Sequence, residues 1–166
     1  METVAMYWEP RIKTYGFQVV KGLTLLKYVL SADKAMQWER ALVRPGVYED
    51  RFSLFCAQLN KASDLDLLLL CRPEQGSALD RHIEAEIPAA ADRRRVISPV
   101  ELLFFQGPHF GDRFGIADFT YKALKEQADL LLTAVFACAS VHLVLPEGAA
   151  VSYTQLTLPT NRVACR

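Results

Sequence analysis

The stretch VELLFFQ-GPHFGDRFG-IADF, residues 100–119, decides the fold of this chain. Its mostly apolar first part predicts a strand over Val100–Gln106, and its glycine-rich part, Gly107–Gly115, predicts a loop. Helical spacing of apolar residues begins at Ile116, and two short apolar runs between 130 and 145 predict a hairpin. The order of elements is therefore strand, helix, strand, strand.

The first half of the chain repeats this order. The sequence GLTLLKYVL predicts a strand over Gly22–Leu30, and the spacing of apolar residues predicts a helix over 33–43. Two apolar runs, Phe52–Leu59 and Leu65–Arg72, then predict a hairpin. The chain thus contains a duplicated strand-helix-strand-strand unit, an arrangement that favours a sensing module over an enzyme.

Two more helices are predicted from local signals. Ser77, with Asp80 three residues further on, resembles a capping box and predicts a helix over 76–87. The helix after the glycine-rich loop is expected over 115–127. After the second hairpin, Pro146-Glu147-Gly148 is expected to lead only into a tail.

The predicted fold class is α+β, with two tandem ferredoxin-like (βαββαβ) units, each a layer of helices on one face of an antiparallel sheet. The first unit spans 1–92, and the second, at 93–150, is incomplete. The fourth strands are expected from Arg94–Ser98 for one unit and from Thr3–Trp8 for the other. Because such small units bury little surface alone, we expect the two sheets to join edge to edge.

The last residues, VSYTQLTLPTNRVACR at 151–166, have no clean periodicity. They resemble translated read-through of a sequencing adapter, which predicts a non-native tail, a natural chain truncated near Ala150 and an accidental Cys165. The alternative is a natural terminus with little regular structure.

Composition excludes several classes of function. The chain has 166 residues, 51% of them hydrophobic, and a formal net charge of zero. A nucleic acid or an anionic membrane is therefore not expected as the partner, since both require a basic surface. The one basic run, Arg93–Arg95, is interpreted as a solvated linker or strand edge, with an anion contact as the alternative. The four cysteines lack metal-ligand spacing, so we expect a cytoplasmic protein without a metal or cofactor.

Two segments of the second unit resemble the ACT domain. Phe114-Gly115-Ile116-Ala117 stands where that family has Pro-Gly, an apolar residue and Ala, with phenylalanine replacing the proline. Cys138–Val144 resembles the family's strand of small residues. The resemblance covers about 22–147 as a tandem pair, similar to the regulatory end of aspartate kinases. It implies binding of a free amino acid at the loop, beside a neighbouring domain.

The residues of the loop suit such a ligand. The N-terminus of a helix beginning near Gly115 offers N–H groups to a carboxylate. Asp112 can pair with an ammonium group, and Arg113 can hold a carboxylate by two hydrogen bonds. The side chain of the ligand would be selected by Phe110 and Phe114. The candidate binding residues are Gly107, Pro108, His109, Phe110, Gly111, Asp112, Arg113, Phe114, Gly115, Ile116 and Ala117.

Other interpretations remain open at this point. The loop can be only a turn with Asp112 as a helix cap, and the duplicated sheets can serve only for dimerisation or for docking onto an enzyme. A small enzyme using His109 and Asp112 as acid and base is the third hypothesis. As partners we expect an amino-acid effector and either a second copy or a partner enzyme, with an exposed apolar face near Ala139–Leu145. His142 is interpreted as a packing or edge residue.

Overall fold

The computed structural model describes residues 14–31, 37, 52–88, 93–107, 110, 115–123 and 131–150. The strand predicted at 3–8 and the tail at 151–166 lie outside these residues, as does the helix predicted at 33–43 apart from residue 37, which is helical.

Six strands form one antiparallel sheet in the order β2-β3-β1-β4-β6-β5. The elements are β1 (Tyr15–Ser31), β2 (Phe52–Leu59), β3 (Asp64–Cys71), α1 (Pro73–Glu86), β4 (Arg94–Gln106), α2 (Ile116–Ala123), β5 (Thr133–Phe136) and β6 (Ser140–Pro146). The predicted α+β class is confirmed, and the two expected sheets are one continuous sheet. Its strand order is symmetric about the β1–β4 pair, as a duplication requires.

The two long central strands each serve both units. The second half of β1 pairs with β3 from Thr24 to Ser31, while its first half pairs with residues of β4 up to Gln106. In the same way β4 pairs with β6 over 100–106, while its residues 94–97 pair with 25–28 of β1. Each unit therefore receives its fourth strand from the other's part of the chain.

This exchange confirms one expected fourth strand and corrects the other. The pairing of residues 94–97 with β1 agrees with the strand expected at 94–98. In the second unit the position expected for residues 3–8 is filled by 15–20, because β4 has β6 on one side and β1 on the other. The sequence signal failed because Gly16 and Gly22 interrupt the apolar pattern of β1.

The change of unit within β1 occurs at Gly22. Its φ is +67°, and apart from its chain neighbours no atom of the described residues lies within 4 Å of the position a Cβ would occupy. The register with β4 shifts between Val20 and Leu23. A positive φ is costly for residues other than glycine, so Gly22 supplies a bend that the strand needs to pass from one unit to the other.

Helix α1 begins at Pro73, and the predicted capping box is wrong. Its N-cap is Arg72, which makes no side-chain capping hydrogen bond, and Ser77 lies inside the helix. Proline at the first helical position has φ already suited to the helix and lacks an N–H that would be unpaired there. The proline therefore fixes the start of the helix, four residues before the predicted cap.

Each unit has its own apolar cluster on the helix-bearing face of the sheet. In the first, Leu79 and Ile83 of α1 pack on Leu26, Tyr28, Leu30, Leu67 and Leu69. In the second, Phe110 and Ile116 pack with Leu103, Phe105, Val141, Leu143 and Leu145. A third cluster occupies the opposite face of the sheet and joins the units: Leu23, Leu25, Leu68, Leu70, Val100, Leu102 and Val144.

The exposed apolar face expected near 139–145 is wrong. Val141, Leu143 and Leu145 are buried, because β6 lies between β4 and β5 inside the sheet. Among the described residues, the exposed apolar side chains include Phe55 (48%) and Leu59 (67%) on the outer strand β2, and Val20 and Val96 on the central strands.

The chain after β6 also departs from the expected tail. Ala149 and Ala150 have helical conformation, and Ala150 is fully buried. They follow β6 as Pro73 follows β3, so the duplication extends to these residues.

We expect Gly22→Ala to destabilise the protein by about 1–2 kcal/mol, because alanine is strained at positive φ while the space around it is free. Gly22→Asn should cost less, since asparagine tolerates this conformation better. Urea denaturation of the three proteins measures the difference. Equal stability of wild type and Gly22→Ala would contradict the assigned role of Gly22.

Candidate functional site

The structure describes five of the eleven predicted binding residues: Gly107, Phe110, Gly115, Ile116 and Ala117. The other six, among them the charged or ionisable His109, Asp112 and Arg113, lie outside the described residues. The described residues define how the loop begins, where it is anchored and how it enters α2.

Phe110 anchors the loop to the core of the second unit. Its side chain is 7% exposed and meets the ring of Phe105 edge-on, with ring centroids 6.2 Å apart. At the start of the loop, the Gly107 N–H donates to the Ala139 carbonyl at 3.4 Å. The loop is therefore attached at two residues: Gly107 bonds to the β5–β6 turn, and Phe110 packs on Phe105 near the end of β4.

Gly115 controls the entry into α2. Its φ is +94°, and apart from its chain neighbours no atom of the described residues lies within 4 Å of the position of a Cβ. Helical conformation begins at the next residue, Ile116, which is 8% exposed and belongs to the core. Because the first N–H groups of a helix have no partner within the helix, a small anion can approach them where Gly115 has no side chain.

The acidic residue in the first turn of α2 does not occupy this position. The Asp118 carboxylate accepts from Lys122 Nζ at 2.7 Å, one turn along the exposed side of the helix. Thr120 Oγ1 donates to the Ile116 carbonyl at 2.8 Å within the helix. Neither polar side chain is directed by these contacts to the N-terminus of α2.

A functional candidate that the sequence analysis missed is Glu101 in β4. Its side chain is fully buried, and Oε2 accepts the Ala150 N–H at 3.0 Å. Oε1 lies 3.6 Å from Lys21 Nζ and has no hydrogen bond among the described residues. The signal in the sequence is a single carboxylate inside an otherwise apolar strand, VELLFF.

Comparison with solved structures finds aspartate kinases and their regulatory subunits among the similar folds. The regulatory subunit of aspartate kinase from Thermus flavus matches with a TM-score of 0.71 at 7% identity, over 87% of this chain and 95% of that chain. Aspartate kinase from Synechocystis matches with a TM-score of 0.70 at 14% identity, over 90% of this chain and 27% of that chain. The kinase from Clostridium acetobutylicum matches with a TM-score of 0.64 at 13% identity, over 92% and 35% of the two chains.

This chain has the fold of aspartate kinase regulatory domains. The regulatory subunit is covered almost entirely, whereas only part of each kinase chain is covered, so the likeness belongs to the regulatory portion. No family model matches the sequence, and no significant match is found among curated proteins.

Within this regulatory-domain fold, the described residues offer little for metal binding. They contain no group of three or more His, Cys, Asp or Glu residues placed to hold a metal ion. Burial raises the pKa of the Cys71 thiol to about 11, which disfavours the thiolate form. No helix among the described residues has the length and apolar character needed to cross a membrane.

His142 packs in the sheet of the second unit. Its ring lies 4.9 Å from that of Phe104, and Nε2 is 3.1 Å from Ser140 Oγ. Nδ1 is buried without a hydrogen bond in the described part of the chain. Burial lowers the pKa of His142 below its ordinary value of 6.5, because the low-dielectric surroundings disfavour the charged imidazolium.

We expect Glu101→Ala to cost about 1–3 kcal/mol of stability, because it leaves the buried Ala150 N–H without an acceptor. Glu101→Gln should cost less, since the amide oxygen still accepts and no charge is buried. Lys21→Met should cost under about 1 kcal/mol, because Lys21 is 59% exposed. Guanidinium denaturation measures the unfolding free energy of each variant and so their order of stability. Equal losses for the alanine and glutamine variants would contradict the role of Glu101 as acceptor of the Ala150 N–H.

Acidification should destabilise the protein through His142. The folded state binds the proton less readily than the unfolded state, so this contribution is complete above about pH 6.5 and declines as pH falls below that value. His142→Gln should therefore reduce the loss of unfolding free energy between pH 7.5 and pH 5. His82→Gln, which leaves His142 intact, is the control. Identical pH profiles for wild type and His142→Gln would refute this origin.

Proposed function

We propose that this chain is a regulatory module that binds a free amino acid at the Gly107–Ala117 loop and acts through its own assembly or on a partner enzyme. The observation that carries the proposal is Gly115, which combines a φ of +94° with free space directly before α2. The fold shared with aspartate kinase regulatory subunits supports a regulatory role over a catalytic one.

The carboxylate of the ligand would bind at the N–H groups of Gly115–Ala117. A helix N-terminus attracts an anion through its free N–H groups and the partial positive charge of the helix dipole. The ammonium group would pair with Asp112 or a strand carbonyl, and Arg113 would add a second contact to the carboxylate. Phe110 packs on Phe105 of the core and so attaches this loop to the sheet.

The first unit should not bind an amino acid at the equivalent place. The residues after its first strand, Ser31-Ala32-Asp33-Lys34, include no glycine, so a side chain would stand where the ligand has to approach. The proposal is therefore one effector site per chain, located in the second unit.

Assembly would carry the signal to a second copy or to a partner enzyme. Exposed apolar groups lie on both outer strands: Phe55 and Leu59 on β2, and Phe136 on β5 beside Tyr121 of α2, with ring centroids 5.9 Å apart. A net charge of zero supports a protein partner rather than a nucleic acid or a membrane. The cytoplasm is the proposed location of this partner.

A purely structural module is the second candidate. It is favoured by the burial of Phe110, which fills core space beneath the loop and gives the loop a packing role without any ligand. The two candidates differ in one measurable property, the binding of a small molecule to the isolated chain.

We expect calorimetry with the twenty common amino acids to find one that binds wild type. Gly115→Val should abolish this binding, because the new side chain covers the helix N-terminus and is strained at positive φ. Asp112→Ala should weaken it by roughly 1–3 kcal/mol, the scale of losing a charged hydrogen-bond partner.

The matched control is Gly148→Val. Gly148 also has a positive φ, +83°, and free space around it, but lies outside the loop. The Gly148→Val variant should bind the amino acid as wild type does, while losing as much stability as the Gly115→Val variant. Equal binding by Gly115→Val would place the site elsewhere, and binding of none of the twenty would favour the structural module.

A further inference from the structure

The three consecutive arginines before β4 and at its start have different surroundings. Arg93 forms an ion pair with Asp64, and Arg94 Nη1 lies 3.3 Å from Asp80 Oδ2 and 3.2 Å from Glu84 Oε2. No carboxylate among the described residues pairs with Arg95. The basic run is therefore neutralised at two of its three positions.

Arg95 lies directly opposite another cation. Its partner in the antiparallel β1–β4 register is Lys27. Opposed residues of antiparallel strands project on the same face with Cβ atoms about 4.5–5.5 Å apart. Like charges in this relation destabilise the sheet, so the pair works against the strand exchange that holds the two units together.

Asp66, an acidic residue on the same face, does not relieve the repulsion. Asp66 is opposite Val29, two residues along β1 from Lys27, and its Oδ1 accepts from Asn60 Nδ2 at 2.9 Å. It forms no ion pair with Lys27 in the described structure. Lys27 is half-buried and Arg95 is exposed, so the pair is accessible from solvent.

We propose that Lys27 and Arg95 bind an oxyanion between them, a phosphate or carboxylate group of a small ligand. A guanidinium offers two parallel N–H donors to such a group, and the lysine ammonium adds a point charge from the facing strand. Leu25 and Ile97 are the next opposed pair on the same face, and they form an apolar surface beside the two cations. A bound anion replaces repulsion by attraction across β1 and β4.

This site is separate from the amino-acid loop. Arg95 lies near the beginning of β4 and Gly107 follows its end, up to about 40 Å away along an extended strand. The two proposals involve different residues, so either can fail without the other.

The test compares the melting temperature of the full chain in sodium phosphate, sodium acetate and sodium chloride at one ionic strength and pH. The proteins are wild type, Lys27→Gln, Arg95→Gln, Lys27→Arg and Lys61→Gln, the last removing an exposed positive charge in the β2–β3 turn. Phosphate also stabilises proteins generally, so the comparison between variants decides.

We expect a saturable rise in melting temperature in phosphate or acetate for wild type, Lys27→Arg and Lys61→Gln. Lys27→Gln and Arg95→Gln should bind the same anion roughly five- to 100-fold more weakly, the scale of one charged hydrogen bond. A response to phosphate alone identifies a phosphate ligand, and a response to acetate alone identifies a carboxylate. An equal rise in all five proteins, or none above chloride in wild type, overturns the proposal.

Discussion

The pairing of β1 with β4 is the interaction on which the rest of the structure depends. Each strand gives one half to its own unit and the other half to the neighbouring unit, so neither unit has four strands without the other. A unit of about 70 residues buries comparatively little surface and is only marginally stable alone. The exchange makes one sheet, and the outer-face cluster of Leu25, Leu68, Val100 and Leu102 extends across its centre.

Different interactions hold the two exchanged strand segments in place at equivalent positions of the two units, polar contacts in the first and stacked rings in the second. In the first unit the Tyr28 hydroxyl donates to Asp80 at 2.7 Å, and Asp80 also pairs with Arg94 of the exchanged strand. Burial raises the pKa of Tyr28, so the phenol stays protonated and keeps donating. In the second unit Phe17 of the exchanged strand stacks on Phe105, with centroids 5.2 Å apart.

The polar contacts of the first unit and the stacked rings of the second therefore differ in their tolerance of substitutions and of small structural shifts. The polar network depends on the geometry of its three side chains, and Asp80 is its common member, because it accepts from Tyr28 and pairs with Arg94. The stacked rings contribute about 0.5–1.5 kcal/mol beyond burial and tolerate small shifts. Phe105 also contacts Phe110 in the loop. The stacked rings of Phe17 and Phe105 therefore connect the exchanged strand directly to the proposed effector site.

The sequence predicted what depends on local pattern and missed what depends on long-range pairing. Alternating and apolar runs located β2, β3, β4 and the β5–β6 hairpin, because one buried face imposes their period. The first half of β1 was missed, since its glycines hide a strand that is stabilised only by β4. Gly115 was found because a glycine before a helix is a local signal. The acidic partners of Arg93 and Arg94 were not, because those acids lie in other elements.

Glu101 illustrates the same limit at a single residue. A carboxylate within an apolar strand predicts either an exposed position or a paired one, and pattern alone cannot supply the partner. The structure gives it the Ala150 N–H and the Lys21 ammonium, one from after β6 and one from before the Gly22 bend. Its equivalent in the first unit is Thr24, which contacts Ser98 at 2.9 Å and packs near Gly76 in α1. The first unit holds its helix by apolar burial of Leu79 and Ile83, at about 1.5–3 kcal/mol each. The second holds residues 149–150 partly by one charged hydrogen bond, so its attachment depends more on electrostatics than that of the first.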